Sequence, residues 1–260
     1  MKPSYRQQVE EPTHSTLKEL AVILVILGTL LALILPSILN AREAARATSC
    51  RGHMFKLKKA VEMYRHTSGR FPPAVFVDDA SKTEHSWRVL IRPHLWGSLD
   101  DYHLDEAWNS KRNTSAFPRS DAELFQCPSG HDLDRTEYTN YVCVRGEDTI
   151  FPKGKSIKLD DVSDGPENTI VLVEVHGLDI HWREPRDLSF KSMSFELNDD
   201  VDPSINSPHP SGPVVTFADD SYFRLSDTIE SSDVKALLTR AGGDSPKRAE
   251  LEKEGSSLGR

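Results

Sequence analysis

The longest apolar stretch of the chain runs from Leu20 to Ala41, a span of 22 residues without a charged side chain. A helix rises 1.5 Å per residue, so this stretch reaches about 33 Å, enough for a hydrocarbon core of about 30 Å. The buried helix of a soluble protein is seldom apolar on every face. The pattern therefore predicts a transmembrane helix over residues 20–41.

After this stretch the apolar positions become periodic. They recur at spacings of three and four, at Ala47, Cys50, Met54, Leu57, Val61 and Tyr64. Such spacing is typical of one face of an amphipathic helix. A secretory signal peptide is the alternative, but its apolar region usually has only about 7–15 residues. We therefore expect one helix over residues 16–67, its second half packed on a soluble domain and ended by Ser68–Gly69 and Pro72–Pro73.

The rest of the chain carries shorter patterns. They predict strands at 138–144 and 170–175, a hairpin from 214–218 and 221–225, a short helix or turn at 86–95 and a short helix at 233–239. The fold class is α+β, a long N-terminal helix with its first half transmembrane, packed on an antiparallel β-sheet. Residues 1–15 are expected to be a disordered cytoplasmic leader, 68–243 a folded domain, and 244–260 a disordered charged tail.

The charge of the chain limits its partners. The net charge is −8, which argues against nucleic acid because phosphate binding needs a basic surface. Basic residues between Arg42 and Lys59 form a collar beside the apolar stretch, which makes membrane lipid a partner. By the positive-inside rule alone, this collar would place the domain in the cytoplasm.

The chain has three cysteines, Cys50, Cys127 and Cys143. It has no CxxC pair and no cysteine and histidine at zinc spacing, so the sequence predicts no metal site and no cofactor. An oxidising compartment would allow one disulfide. We expect Cys127 to be oxidised, with Cys143 or Cys50 as its partner. Cys143 is slightly favoured, because Cys50 lies on the apolar stripe and serves there as a small core residue.

Catalytic chemistry has little support in the sequence. Ten histidines are present, but no nucleophile elbow, zinc-protease motif or phosphate-binding loop accompanies them. We predict no catalytic residue and no enzymatic activity. The acidic loop with Asp161, Asp164 and Glu167 offers oxygen ligands for calcium, although solvated turns are the commoner use of such residues.

Two sets of motifs resemble known families. The Thr16-Leu17-Lys18-Glu19 start, the apolar stretch containing Pro36 and the amphipathic continuation resemble a type IV prepilin or pseudopilin. Further segments are similar to those of a bacterial family, domain of unknown function 1559 (DUF1559): SWRVLIRPHL at 86–95, EAWNSKRN at 106–113, FQCPSG at 125–130, TNYVCVRG at 139–146, DVSDGPENTIVLVEV at 161–175, HWREPRDL at 181–188 and LLTRAGGD at 237–244. That family has a C-terminal H-x9-DG signature, which appears here as His209, Asp219 and Asp220, with Asp in place of Gly.

The resemblance implies a structural protein. It would be a pilin-like or pseudopilin-like component of a filament or secretion system such as type II secretion. The protein would cross the inner membrane once, with its domain outside the cytoplasm, because basic residues after the span also occur in prepilin-like proteins. Other pilin-like subunits would be its partners, and Glu19 would pair with the N-terminal amine of a neighbouring subunit. Alternatively, Glu19 is only a helix cap.

The processing site departs from the family pattern. Prepilins have G-F-T-L-x-E, whereas this chain has His14 and Ser15 before Thr16. A prepilin peptidase cuts after glycine, so this departure favours an alternative function. In that alternative, the protein is an uncleaved single-pass anchor that carries an extracytoplasmic binding module.

Overall fold

The structure is a computed structural model that describes residues 14–130 and 137–243. The disorder expected for residues 1–13 and 244–260 therefore lies outside the described residues. The chain divides into two compact units, residues 1–45 and residues 46–260. The helices are α1 (His14–Ser68), α2 (Trp87–Leu90), α3 (Pro93–Trp96), α4 (Lys111–Ser115), α5 (Ser120–Glu123) and α6 (Ser231–Leu238). The strands are β1 (Val75–Val77), β2 (Glu84–Ser86), β3 (Tyr141–Val142), β4 (Val144–Arg145), β5 (Ile170–Glu174), β6 (Leu188–Ser189), β7 (Val214–Phe217) and β8 (Tyr222–Arg224).

Helix α1 confirms the main prediction from the sequence. It continues through Pro36 and ends at Ser68, where Gly69 takes a left-handed φ of 73° and donates to the carbonyl of Arg65. Among the described residues, α1 is the one helix that is both long enough and apolar enough to cross a membrane. No part of its most apolar stretch is buried. The first compact unit is therefore an exposed apolar helix, as expected for a membrane anchor.

The second unit is built on a four-stranded antiparallel sheet with the strand order β3-β5-β7-β8. All five residues of β5 are buried, which confirms the central strand predicted there. Strands β7 and β8 form the predicted hairpin. Its turn contains Asp220 at a φ of 68°, a left-handed conformation that suits glycine better.

The two faces of this sheet pack on different helices. Since side chains alternate along a strand, each strand contributes to both faces. One face carries Tyr141, Leu172 and Val214 and belongs to a core shared with Cys50, Met54, Leu57 and Val61 of α1. The other face carries Val142, Val173, Val215 and Phe217 and shares a core with Val234, Leu237 and Leu238 of α6. The amphipathic stripe of α1 is thus buried against the sheet, as predicted.

Several local predictions need correction. The segment 86–95, expected to be a short helix or turn, forms two short helices, α2 and α3, and the strand expected at 138–144 is divided into β3 and β4. The β1–β2 hairpin and the helices α4 and α5 were not predicted. Strands β4 and β6 pair in parallel, outside the antiparallel sheet. These elements are only two to five residues long, which is too short for a hydrophobic period to develop.

Candidate functional site

The residues of the predicted processing site lie at the start of α1. His14 and Ser15 already have helical backbone, and Glu19 lies in the exposed apolar part of the helix. Thr16 therefore lies inside the helix as described, and a capping role for Glu19 stays a prediction. Its role as an assembly residue stays a prediction.

The signature residues occupy two different places. Asp219 and Asp220 form the β7–β8 turn, where Asp220 Oδ2 lies 3.4 Å from Nη2 of Arg65 on α1. His209, in contrast, is buried, and its Nε2 lies 3.1 Å from Sγ of Cys127. The histidine of the signature thus belongs to the interior of the domain, and the acidic pair to its surface.

Two carboxylates of the acidic loop considered for calcium accept hydrogen bonds from backbone amides. Asp161 Oδ2 accepts a hydrogen bond from the amide of Lys158 at 3.0 Å. Asp164 accepts from the amides of Gly242 at 2.6 Å and Gly243 at 2.9 Å. Glu167 lies in a short 3₁₀ helix, Pro166–Asn168. The carboxylate of Asp164 therefore fastens the segment after α6 to this loop.

Four buried side chains with metal-binding groups meet on the α1 side of the sheet. We call Cys50, Cys127, Glu174 and His209 the Cys–His–Glu cluster. Each offers one sulfur, nitrogen or carboxylate oxygen, and these four atoms all lie within 4.8 Å of one another. None of the four residues is more than 3% exposed. The cluster is thus enclosed by the domain.

Two members of the cluster come from regular elements. Cys50 lies on the apolar stripe of α1 and is fully buried. Glu174 is the last residue of β5 and pairs in register with Tyr141 of β3. The Cys50 thiol donates to Glu174 Oε1 at 3.1 Å, and the Tyr141 hydroxyl donates to Cys50 Sγ at 3.1 Å. Helix and sheet are therefore joined here by polar contacts within an apolar interface.

The other two members are held by turns. The amide of Cys127 donates to Asn140 Oδ1 at 2.8 Å, and its carbonyl accepts from the amide of Gly130 at 3.0 Å. The carbonyl of His209 accepts from the amide of Gly212, which has a φ of 82°. A Cβ at Gly212 would lie 2.3 Å from the carbonyl oxygen of Leu225, so only glycine fits this turn.

Neighbouring donors orient Glu174. The amide of Val214 donates to Oε2 at 3.0 Å, and His176 Nε2 lies 3.2 Å from Oε1. Gly130 makes room for His176, because a Cβ on Gly130 would lie 2.3 Å from the imidazole Cε1. The carboxylate is thus held by backbone and side chain together.

The titration of these groups is strongly perturbed. The pKa of the Cys127 thiol is lowered, above all by its hydrogen bond with Cys50 and further by those with His176 and His209, which together outweigh burial. The pKa of Cys50 is raised by the same hydrogen bond and by burial. Burial lowers the pKa of His176, but its hydrogen bonds with Cys127 and Glu174 outweigh burial and raise it to about 9. The network therefore favours a thiolate on Cys127.

Sequence reasoning missed this cluster and predicted no metal ligands. Its members are scattered from residue 50 to residue 209, so no local spacing connects them. A usable signal was Glu174, a carboxylate at the end of an otherwise apolar central strand, since a buried charge needs partners. The predicted oxidation of Cys127 stays a prediction: all three cysteines are free thiols here, and Cys127 lies beside Cys50, the less favoured of its two predicted partners.

Cys143 belongs to a second buried polar group. We call Trp87, Arg88, Cys143 and Asp187 the Arg–Asp cluster. The Arg88 guanidinium forms an ion pair with Asp187, and both side chains are 0% exposed. Asp187 Oδ1 also accepts from Trp87 Nε1 and from the amide of Cys143, each at 3.1 Å. Burial raises the pKa of Cys143, so this thiol stays protonated.

Comparison with known proteins gives one match. No curated protein and no solved structure matches the chain. The model of a family described as protein of unknown function (DUF1559) matches residues 39–150, which include both thiols of the Cys–His–Glu cluster. Over these residues the chain is similar to the DUF1559 family, the family that its motifs resemble.

Proposed function

We propose that the protein is a pilin-like or pseudopilin-like structural component of a secretion or filament system, and not an enzyme. The observation that supports this proposal most is the composition of α1. One unbroken helix contains an exposed apolar stretch and, after it, an amphipathic stripe that is buried in the folded unit. Such a division of one helix is what the prepilin resemblance implies.

The same proposal assigns the topology. The protein would cross the inner membrane once, with residues from Arg42 onward outside the cytoplasm and the basic collar against lipid head groups. Its macromolecular partners would be other pilin-like subunits, contacted through the apolar half of α1 and through Glu19. The net charge of −8 disfavours nucleic acid as a partner.

A second candidate function is favoured by the processing site. With His14 in place of glycine and Ser15 in place of an aromatic residue, the leader would be retained. The protein would then be a permanently anchored extracytoplasmic binding module that does not polymerise. Both functions share the anchor and differ in the fate of the N-terminus.

N-terminal sequencing of the protein extracted from its native membrane separates the two candidates. A chain that begins at Ser15 supports the pilin-like subunit, and a chain that begins at Met1 supports the anchored module. The control is His14→Gly, expressed together with a prepilin peptidase, which should be cleaved. If the glycine variant is cleaved and the wild type is not, the wild type is an anchor.

Assembly and topology need their own measurements. A reporter that is active only in the cytoplasm, fused after Arg260, should stay silent, and a strong signal would contradict the proposed orientation. Chemical cross-linking in membranes should give a ladder of subunits for the wild type and a weaker one for Glu19→Ala. A wild type that shows only monomers would contradict the pilin-like function.

A further inference from the structure

The ligand types of the Cys–His–Glu cluster select a class of cation. Thiolates and imidazole are the ligands of structural zinc sites, and a carboxylate oxygen is a common additional ligand. Calcium and magnesium prefer sites made of oxygen alone. A set of two sulfurs, one nitrogen and one oxygen therefore favours zinc or a similar divalent transition metal.

The separations within the cluster suit a tetrahedral ion. With metal–ligand bonds of 2.0–2.3 Å, neighbouring ligand atoms of a tetrahedral zinc site lie about 3.3–3.8 Å apart. In the structure, Cys127 Sγ and His209 Nε2 are 3.1 Å apart, Cys50 Sγ and Glu174 Oε1 are 3.1 Å apart, and His209 Nε2 and Glu174 Oε1 are 3.9 Å apart. Shifts of a few tenths of an ångström would bring these pairs to zinc geometry.

We propose that Cys50, Cys127, Glu174 and His209 bind one zinc-class divalent cation with four protein ligands. Both thiols lose their protons to solvent when the ion enters. Four protein ligands leave no open position for a water or a substrate, which is the arrangement of structural sites. The ion would fasten α1 to β5 and to the two turns that carry Cys127 and His209.

Neighbouring hydrogen-bond donors hold two of the four ligands in place. The amide of Val214 fixes one carboxylate oxygen of Glu174, so that the other faces Cys50 and His209. The Tyr141 hydroxyl donates to Cys50 Sγ. Hydrogen bonds of this kind orient ligands and stabilise coordinated thiolates and carboxylates. They also explain why a carboxylate is placed in an apolar core.

A disulfide between Cys50 and Cys127 is the competing use of the two thiols. It would need an oxidant to remove two electrons and two protons from the thiols. It would also use only the two thiols and leave His209 and Glu174 side by side in the core with no metal ion to bind. Metal binding uses all four side chains, so the geometry favours it over the disulfide.

Metal analysis of the full-length protein tests the proposal. The protein is purified in detergent with reductant, stripped with a chelator, and loaded with Zn²⁺ alone. We expect about one tightly bound zinc per chain by elemental mass spectrometry. Cys50→Ala, Cys127→Ala and His209→Ala should lose it. The matched control is Cys143→Ala, which removes a buried thiol outside the cluster and should retain one zinc.

Cobalt provides a readout that does not depend on the variants folding. Co²⁺ loaded into the wild type should show ligand-field bands of a tetrahedral site and sulfur-to-cobalt charge-transfer bands, and Zn²⁺ should abolish them. Zinc should also slow alkylation of Cys50 and Cys127 in the wild type, relative to the chelated protein. Octahedral cobalt spectra without charge-transfer bands would overturn the proposal.

Other results would overturn it equally. If the wild type binds no zinc and all three of its thiols are alkylated after loading, the protein has no such site. Zinc that remains in both Cys50→Ala and Cys127→Ala lies elsewhere. A Cys50–Cys127 disulfide in protein isolated directly from membranes, found by mass spectrometry of peptides without reduction, would make the disulfide the native state of this pair.

Discussion

The two buried polar clusters of the domain balance their charges in different ways. In the Arg–Asp cluster, a guanidinium and a carboxylate with 0% exposure face each other. Arginine does not lose its proton in proteins, so the positive charge of this pair is fixed. In the Cys–His–Glu cluster, every member is able to gain or lose a proton, and no arginine or lysine is among the four.

The difference shows two purposes of polar burial in one core. In the Arg–Asp cluster, Asp187 Oδ1 receives donors from Trp87, Arg88 and Cys143, whereas the buried Oδ2 has no hydrogen-bond partner. The Cys–His–Glu cluster holds sulfur, nitrogen and oxygen atoms whose protons are exchangeable for a cation. The first is an internal ion pair, and the second is the cation site that we propose.

The largest expected effect comes from breaking the fixed pair. Arg88→Met leaves the Asp187 carboxylate buried without its counter-charge and removes the hydrogen bond from Arg88 Nε to the Tyr141 carbonyl, 3.1 Å long. The loss in unfolding free energy should be about 3–5 kcal/mol. Denaturant unfolding of the full-length protein in detergent, followed by circular dichroism, measures it.

The control for this experiment is the double variant Arg88→Met with Asp187→Asn. Asparagine keeps an oxygen acceptor for Trp87 and for the Cys143 amide but carries no charge. We expect it to recover part of the lost stability, since the penalty of the single variant comes mostly from the unpaired charge. If the single variant costs less than about 1 kcal/mol, the pair is not the buried ion pair described here.

A smaller effect is expected from crowding the Cys–His–Glu cluster. Gly130→Ala places a Cβ 2.3 Å from Cε1 of His176, so the imidazole must move away from Glu174. Overpacking of this kind costs about 1–3 kcal/mol. Unfolding of the metal-free protein measures the loss, and the Arg–Asp cluster should be unaffected.

Gly52→Ala is the matched control for that crowding. Gly52 lies in α1, two residues from Cys50, and a Cβ there meets nothing within 4 Å. Alanine is a better helix former than glycine, so this variant should gain about 0.5–1 kcal/mol. If both glycine variants behave alike, the close approach of Gly130 to His176 does not constrain the cluster.

The smallest effect distinguishes the thiols of the two clusters. Cys50→Ala removes the donor to Glu174 Oε1 and the acceptor of the Tyr141 hydroxyl. Cys143→Ala leaves the amide of residue 143 bonded to Asp187. In chelated protein, the first variant should therefore be less stable than the second by about 1 kcal/mol. Equal losses would mean that the Cys50 thiol acts only as an apolar group.

The sequence predicted the parts of the fold that repeat a pattern. From the apolar stretch and the apolar stripe, both ends of α1 were predicted to within two residues. The β-branched run predicted the position of β5. The β7–β8 hairpin and α6 were located as well. These elements are long or strongly apolar, so burial of one face decides their structure.

The clusters could not be predicted in the same way. The Arg–Asp cluster joins Arg88 to Asp187, and the other cluster joins Cys50 to Glu174, a separation of 124 residues. Such pairings depend on how the elements pack and leave no periodic trace. The sequence contained only local hints: an arginine between the buried Trp87 and Val89, and a glutamate at the end of β5.

The position of Cys50 on α1 also affects how the protein folds during synthesis. The stripe of α1 leaves the ribosome early, but Glu174 follows 124 residues later. At 5–20 residues per second, the stripe waits about 6–25 s for the strand that covers it. During that interval its apolar side chains and the Cys50 thiol are open to other chains. Because the anchor helix also contributes to the core, the buried face of this helix stays uncovered until β5 has been synthesised.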